Sequence, residues 1–319
     1  MNAETIFHSD EWMHVLEESY GFKRMCVKGS RGGRLPLMQA RSLLGGNRGV
    51  SLPFTDHCAP LTNSREEFGE LWNTALEKGR SHHWKYVEVR GGKEWLPDAP
   101  ASLRFYSHVV DLRGGEQAIF GRFHGSVRQA IRKAQKSGVT VENRHDEEGM
   151  RTYYDLHCGT RKKHGLPPQP WVFFLNIARQ ILSKRLGVLV LARIDRIAVA
   201  GAIFFCGRRG IYKFGASDER KQETRANNLV MWEGMRWLAG NGSEELDFGR
   251  TSMDNEGLRR YKAGWGSQES TLEYVKYDLK QACFKVDKDR ASGWHNEIFS
   301  RMPIALLRAA GAVLYRQMT

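Results

Sequence analysis

A chain of 319 residues is too long for one small core and suits one large or two medium domains, two being the better fit. Its content of 41% hydrophobic and 11% aromatic residues, with nine tryptophans, excludes a disordered chain. Lys and Arg outnumber Asp and Glu by 49 to 36, and the resulting net charge of +13 favours nucleic acid, phosphorylated substrates or an acidic membrane surface without choosing among them.

Five scattered cysteines (Cys26, Cys58, Cys158, Cys206, Cys283) form no CxxC pair, so neither a disulfide framework nor a zinc ribbon is indicated and a reducing cytosol fits. The opening MNAETIFHSDEW lacks the regions of an export signal, and no apolar run reaches membrane-spanning length. The expected location is cytoplasmic.

In chain order, SDEWMHVLEESYG predicts a helix with Ser9 as N-cap, Asp10 and Glu11 at the positive end of its dipole, and Gly21 as its stop. Strands are expected at FKRMCVKG and RLPLMQARSLL, a helix over 64–79, and strands at WKYVEVR and RFYSHVVDL. After a basic helical stretch the order recurs. Helices are predicted over 146–163 and 171–184, followed by three antiparallel strands within 187–217 that turn at Asp195-Arg196 and at GRRG. A helix over 226–239 follows, with Met231, Met235 and Leu238 on one face, then a strand at EELDFG, a short helix over 255–262 and a last strand at ESTLEYVKY. The segment IFSRMPIALLRAAGAVLYRQ reads as a helix docked on the core, with an interfacial membrane contact as its second reading.

This repeated order implies an α/β fold with mixed sheets, built from two related α/β halves, and not a doubly wound parallel sheet. The expected division is a first domain over 1–112, a basic bridging segment over 113–145, a second domain over 146–277 and a helical extension over 278–319.

The stretches HCGTRKKHGLPPQPWVFF, GIYKFGASDE, LVMWEGMRWLAGNG, LDFGR and GLRRYKAGWGSQESTLEY, in that order and preceded by SVRQAIRKAQKSGVTV, resemble the Fem-type peptidyltransferases and their FemAB-like, GNAT-related relatives. The resemblance covers about 115–277 well, and 9–112 by element order and SLPFTDHCAPL. It implies tandem GNAT-like domains and an amide-forming transfer of an acyl or aminoacyl group to an amine, as in peptidoglycan assembly during cell wall biogenesis. The donor would be aminoacyl-tRNA or acyl-CoA, with no tightly bound cofactor. The acceptor would be a phosphorylated or lipid-linked envelope precursor at the inner membrane face. The long helical arm of many Fem proteins is missing, and Arg196 stands where a glycine is common.

Attack of an amine on an ester or thioester builds charge on the carbonyl oxygen, so a fixed cation aimed at that oxygen gives the largest single effect. The resemblance points to Lys262 of YKAGWG for this role, with Tyr261 beside it, and to Lys213, Arg250 and Trp265 as substrate-binding residues. On the residues alone Lys262 reads as a solvated surface lysine, with Gly264 and Gly266 shaping a loop. Asp247, at the end of a strand, could accept the amine's proton or form a structural pair with Arg250; Asp254 is weaker, because SMDNEG also reads as a helix N-cap. The loop SDERKQETRANN lacks the glycines that hold the CoA pyrophosphate in ordinary GNAT proteins but offers Arg220, Lys221 and Arg225 to a donor phosphate. Arg128, Arg132 and Lys136, four apart with Lys133 nearby, form a basic stripe suited to an anionic backbone or to plain solvation. RKKHG at 161–165 adds further cations. His82-His83 and the pair His157 and His164 lack the spacing of a metal site.

Two rivals remain from the sequence. One is a CoA-dependent N-acyltransferase of an amino sugar or lipid in exopolysaccharide synthesis; the other is a nonenzymatic nucleic-acid-binding protein, carried only by charge and the stripe.

Overall fold

Ser9 accepts the backbone N–H of Trp12 and Gly21 closes the helix at φ 73°, so the capping residues set the limits of α1 (Asp10–Tyr20). The computed structural model describes residues 4–42, 45–287 and 295–317. Strands β1 (Lys23–Arg24), β2 (Val27–Lys28), β3 (Arg34–Leu35), β4 (Met38–Ser42) and β5 (Gly46–Val50) follow, then α2 (Arg65–Ser81), β6 (Trp84–Arg90) and β7 (Leu103–Asp111). The basic stretch forms α3 (Gly115–Arg122), α4 (Gly125–Lys136) and β8 (Thr140–Arg144). Next come α5 (Glu147–Lys163) and α6 (Trp171–Ile177), which passes into a π-turn over Ala178–Leu182. Strands β9 (Gly187–Ile194), β10 (Ile197–Phe205) and β11 (Arg209–Ser217) lead to α7 (Ala226–Gly240), β12 (Glu245–Ser252), α8 (Glu256–Ala263) and β13 (Gln268–Asp278). The chain continues through β14 (Cys283–Lys285), α9 (His295–Arg301) and α10 (Ile304–Leu314).

Twelve strands make one mixed sheet in the order β1-β4-β5-β6-β13-β7-β12-β11-β10-β9-β8, with β14 on β13. Its parallel pairs, β5 with β6 and β11 with β12, are bridged by α2 and α7, since parallel neighbours require a crossover. The same sequence of helix, antiparallel strands, helix and parallel strand therefore occurs twice, as element order predicts. Element order did not predict the centre of the sheet. There β13 runs between β6 and β7, and β7 pairs with β12, so each copy is completed by a strand from the other.

The hairpin between β9 and β10 turns at Asp195 and Arg196, both with positive φ (49° and 69°), the pair of left-handed residues a two-residue turn demands. One face of the sheet carries α1, α5 and α6, packed through Trp12, Tyr153, Phe173 and Phe174. The other carries α4 and α7. Val127, Ile131 and Ala134 of α4 fall at helical spacing and bury against the α7 side. On α7, a Cβ at Gly234 would stand 2.2 Å from the Phe204 ring. The helix propensity gained by Gly234→Ala, about 1 kcal/mol, is outweighed by overpacking of roughly 1–3 kcal/mol or more. A thermal melt of this variant is expected to fall by several degrees.

Candidate active site

The pairing of β11 with β12 lasts only from Arg209–Glu245 to Ile211–Asp247, after which the strands part. A bulge in β12 between Asp247 and Arg250 causes the parting. At its apex Gly249 has φ 70°, and its N–H donates to the Asp247 carboxylate at 2.8 Å. This is the purpose of the DFG triplet: an aspartate-stabilised bulge, with glycine at the left-handed position. A Cβ on Gly249 would also stand 2.5 Å from Oδ2 of Asp56. Gly249→Ala is therefore strained at φ and displaces Asp56. We expect it to lower stability by roughly 1–2 kcal/mol and turnover by far more, a disparity that a melt and a rate measured on the same preparation will reveal.

Asp56 comes from the loop after β5, SLPFTDHC, whose Leu52 and Phe54 both adopt positive φ (60° and 58°). Donors from four elements hold this conformation. Lys213 donates to the Phe54 carbonyl at 2.6 Å, Arg90 to that of Thr55 at 2.9 Å, Tyr274 to that of Asp56, and the Trp12 indole to the Thr55 hydroxyl at 2.9 Å. Arg250 lies over the Phe105 ring, donates to the Tyr274 hydroxyl at 3.2 Å and approaches Asp56 at 3.6 Å. Burial would raise the Asp56 pKa, but Lys213, Arg250, Lys262 and Arg90 outweigh it and hold the group below the ordinary carboxylate value.

Lys262, on α8 beneath the bulge, is 3% exposed and donates to the carbonyls of Gly249 at 2.8 Å and Arg250 at 3.2 Å. Asn255 caps α8 by accepting the Leu258 N–H, the role the sequence offered to SMDNEG. Burial lowers the Lys262 pKa to about 8, against the pull of Asp56 and Asp247. Burial raises that of Asp247, despite its bond from Gly249. The bulge thus gathers a carboxylate with enhanced basicity, a second carboxylate held ionised and an ammonium with one N–H left over after its two carbonyls.

Two openings flank this centre on opposite faces of the sheet. On the α4 and α7 face lies a cavity of about 960 Å³ between β11, α4, the end of α5, the start of α7 and α8. Its charged lining consists of Lys133, Lys163, Lys221, Arg225 and Arg260 against the single carboxylate of Asp218, which is bound by Arg220 at 2.8 Å. Lys163 pairs with Glu219, whereas Lys133, Lys221, Arg225 and Arg260 form no ion pair among the described residues. The first residues of α7 also line the cavity, and that helix starts at Arg225 without a side-chain cap. Tyr212 and Tyr261 supply aromatic wall, the Tyr261 phenol being pushed up to about 12 by burial and hence protonated at neutral pH. On the other face a polar groove of about 730 Å³ is lined by His57, Ser107, Val109, Arg209, Glu245 and Gln268 among others. Asp247 pairs across strands with Val109, which puts its side chain on the groove's face.

The residues singled out from sequence thus separate. Lys262, Asp247, Arg250 and Lys213 meet around the bulge and the Asp56 loop, and Tyr261, Lys221, Arg225 and Lys133 line the cavity. Arg220 is spent on Asp218 at the surface. Arg132 lies over Phe120, and neither it nor Arg128 or Lys136 lines the cavity, because Ser126, Gln129, Ala130 and Lys133 form the face of α4 turned to it. Trp265 is fully buried, its ring 5.1 Å from that of Phe123, and packs as core. Asp56, Tyr274 and Arg260 were not selected from sequence. For Asp56 a signal existed: it sits in a proline-flanked loop within a stretch that carries the resemblance.

Residues 121–263 match the family model described as an acetyltransferase (GNAT) domain. The structure is similar to that of FemX, with a TM-score of 0.68 at 15% identity, covering 84% of this chain and 91% of FemX. It is also similar to the C-terminal domain of a putative lysylphosphatidylglycerol synthetase from Agrobacterium fabrum, with a TM-score of 0.57 at 13% identity over 85% of this chain and 88% of that one. A conserved protein of unknown function from Bacteroides thetaiotaomicron matches at a TM-score of 0.57 and 9% identity, over 86% and 90% of the two chains. No curated protein matches the sequence. At these identities the likeness is one of fold: the chain has a mixed α/β GNAT-like fold, as its resemblance to the Fem-type proteins implied.

Proposed function

We propose that the chain is an acyltransferase that joins an acyl or aminoacyl group to the amine of a cell-envelope precursor, of peptidoglycan type or related, on the cytoplasmic side of the membrane. The observation that carries this reading is the cavity ringed by four unpaired cations beside the parted strands β11 and β12. Such a cavity suits a donor with phosphates, which aminoacyl-tRNA and acyl-CoA share. The donor enters from the α7 face, and the acceptor amine from the polar groove.

In the reaction the amine nitrogen bonds to the donor's carbonyl carbon, and the negative charge moves to the carbonyl oxygen. The remaining N–H of Lys262 stabilises that oxyanion. Asp247, made more basic by burial, takes the amine's proton. The oxyanion's electron pair then re-forms the C=O bond as the C–O or C–S bond to the donor breaks, and the departing oxygen or sulfur leaves with that bond's electron pair and takes up the proton that Asp247 accepted. Arg250 and Lys213 fix the Asp56 loop and position the acceptor.

Acyl-CoA in place of aminoacyl-tRNA is the second reading, favoured by one observation: the uncapped start of α7 opens onto the cavity and offers main-chain N–H groups to a pyrophosphate even without the glycine loop. The reaction itself is tested by mass spectrometry of envelope precursors from cells with and without the protein. One precursor should lose the mass of an acyl or aminoacyl group when the protein is absent; identical precursor masses would refute the assignment.

A further inference from the structure

Helix α10 buries Leu307 and Gly311 against the body of the protein so closely that a Cβ on Gly311 would stand 2.0 Å from the Pro168 carbonyl oxygen. Another face of the helix is apolar and exposed, with Leu306 at 59% and Val313 at 66% exposure; Ile304 at the helix start and Ile298 on α9 are exposed as well. Four of the nine exposed large hydrophobic side chains of the described residues lie on these two short helices, where scattered single ones would be ordinary. Among the described residues no helix is long and apolar enough to cross a membrane.

A cleft of about 390 Å³ adjoins α10, with Tyr154, Pro170, Trp171 and Ala312 among its walls. Arg151, Arg308 and the carboxylate of Asp155 also line it. Arg151 stacks over Trp171 at 4.4 Å and forms no ion pair among the described residues; Arg308 lies over Tyr154 at 5.1 Å and pairs with Asp155. Helix α10 itself carries no acidic residue, and Arg301, which precedes it, pairs with Glu297 at 2.7 Å.

We propose that α10 and this cleft form a docking surface for an anionic phospholipid bilayer, with the apolar face entering the acyl boundary and Arg151 and Arg308 meeting lipid phosphate. Charge selects this occupant over a second copy of the chain. Arg301 and Arg308 are paired with Glu297 and Asp155, so the uncompensated charge here is that of Arg151: a self-complementary contact would bring it toward its own copy on a protein of net charge +13, whereas an anionic surface attracts both that side chain and the protein's net charge. The proposal is independent of the transferase reading, because binding is read without substrate.

The test is co-sedimentation of the full chain with phosphatidylglycerol vesicles and with phosphatidylcholine vesicles. Binding to the anionic vesicles that weakens with salt, and a partition coefficient at least tenfold lower for Leu306→Glu combined with Val313→Glu, are the expected results. Arg151→Glu should weaken binding to anionic vesicles with an unchanged melt, which keeps the test valid if the double variant folds poorly. Wild-type protein remaining in the supernatant would overturn the proposal. So would equal binding by every variant, or a dimer in light scattering that Leu306→Glu dissociates.

Discussion

Replacing Lys262 with methionine lowers turnover by two orders of magnitude or more while the thermal melt barely moves. Loss of a single oxyanion donor typically costs about 100- to 1,000-fold in rate. Stability is a balance of two effects. The carbonyls of Gly249 and Arg250 lose their donor, at about 1–3 kcal/mol for each group left unsatisfied. Against this, a buried ammonium disappears. Its pKa falls from the ordinary 10.5 to about 8, so keeping it charged costs the fold roughly 3 kcal/mol. The two contributions nearly cancel, and the rate remains as the sensitive quantity.

The same group gives a pH signature with opposite signs in activity and stability. Lys262 is charged in the folded protein only below about 8, so turnover should fall as pH rises through that value. Between about 8 and 10.5 the unfolded chain binds more protons at this lysine than the folded one, so this lysine's contribution to stability rises with pH across that window. Both dependences should vanish in Lys262→Met. A pH profile of turnover beside one of denaturant midpoint reads them directly.

Reversing two charges in the cavity, Lys133→Glu with Arg225→Glu, raises the donor KM about 100-fold and leaves kcat nearly unchanged. Each charge-assisted hydrogen bond to a phosphate is worth about 1.5–3 kcal/mol. Neither residue lies at the bulge, so the interactions removed are those made equally before and during the reaction. The effect should shrink with added salt. Arg128→Glu with Arg132→Glu, on α4 but off the cavity's lining, is the control. With acyl-CoA as donor these changes do nothing to KM; with aminoacyl-tRNA, whose backbone extends beyond the cavity, they raise it too.

The local features were legible because local chemistry sets them. Ser9 and Gly21 bound α1, the Asp195-Arg196 pair turns the hairpin, and the face carrying Met231, Met235 and Leu238 turns inward. The insertion of β13 between β6 and β7 was not legible, since a strand's pattern says which face is buried and not which partner it will find. Around the site the same division holds. Lys262 and Asp247 stand close in sequence and in space, whereas Asp56 reaches Gly249 from nearly two hundred residues away through a loop held by Arg90, Lys213 and Tyr274. The cavity's cations are drawn from α4, α5, the loop before α7, and α8, and sequence showed them as separate runs. The spacing along α4 identified its basic residues but not which of them would turn to the cavity: Arg128, Arg132 and Lys136 lie off its lining, and Lys133 beside them is the one that lines the wall.

The most direct test of the donor site is isothermal titration of the wild type, Lys262→Met and the Lys133→Glu, Arg225→Glu pair with acyl-CoA and with aminoacyl-tRNA. One of the two donors should bind the wild type and Lys262→Met alike, and bind the charge-reversed protein about 100-fold more weakly. Failure of both donors to bind, or undiminished binding after the reversal, would contradict a phosphate-bearing donor in this cavity.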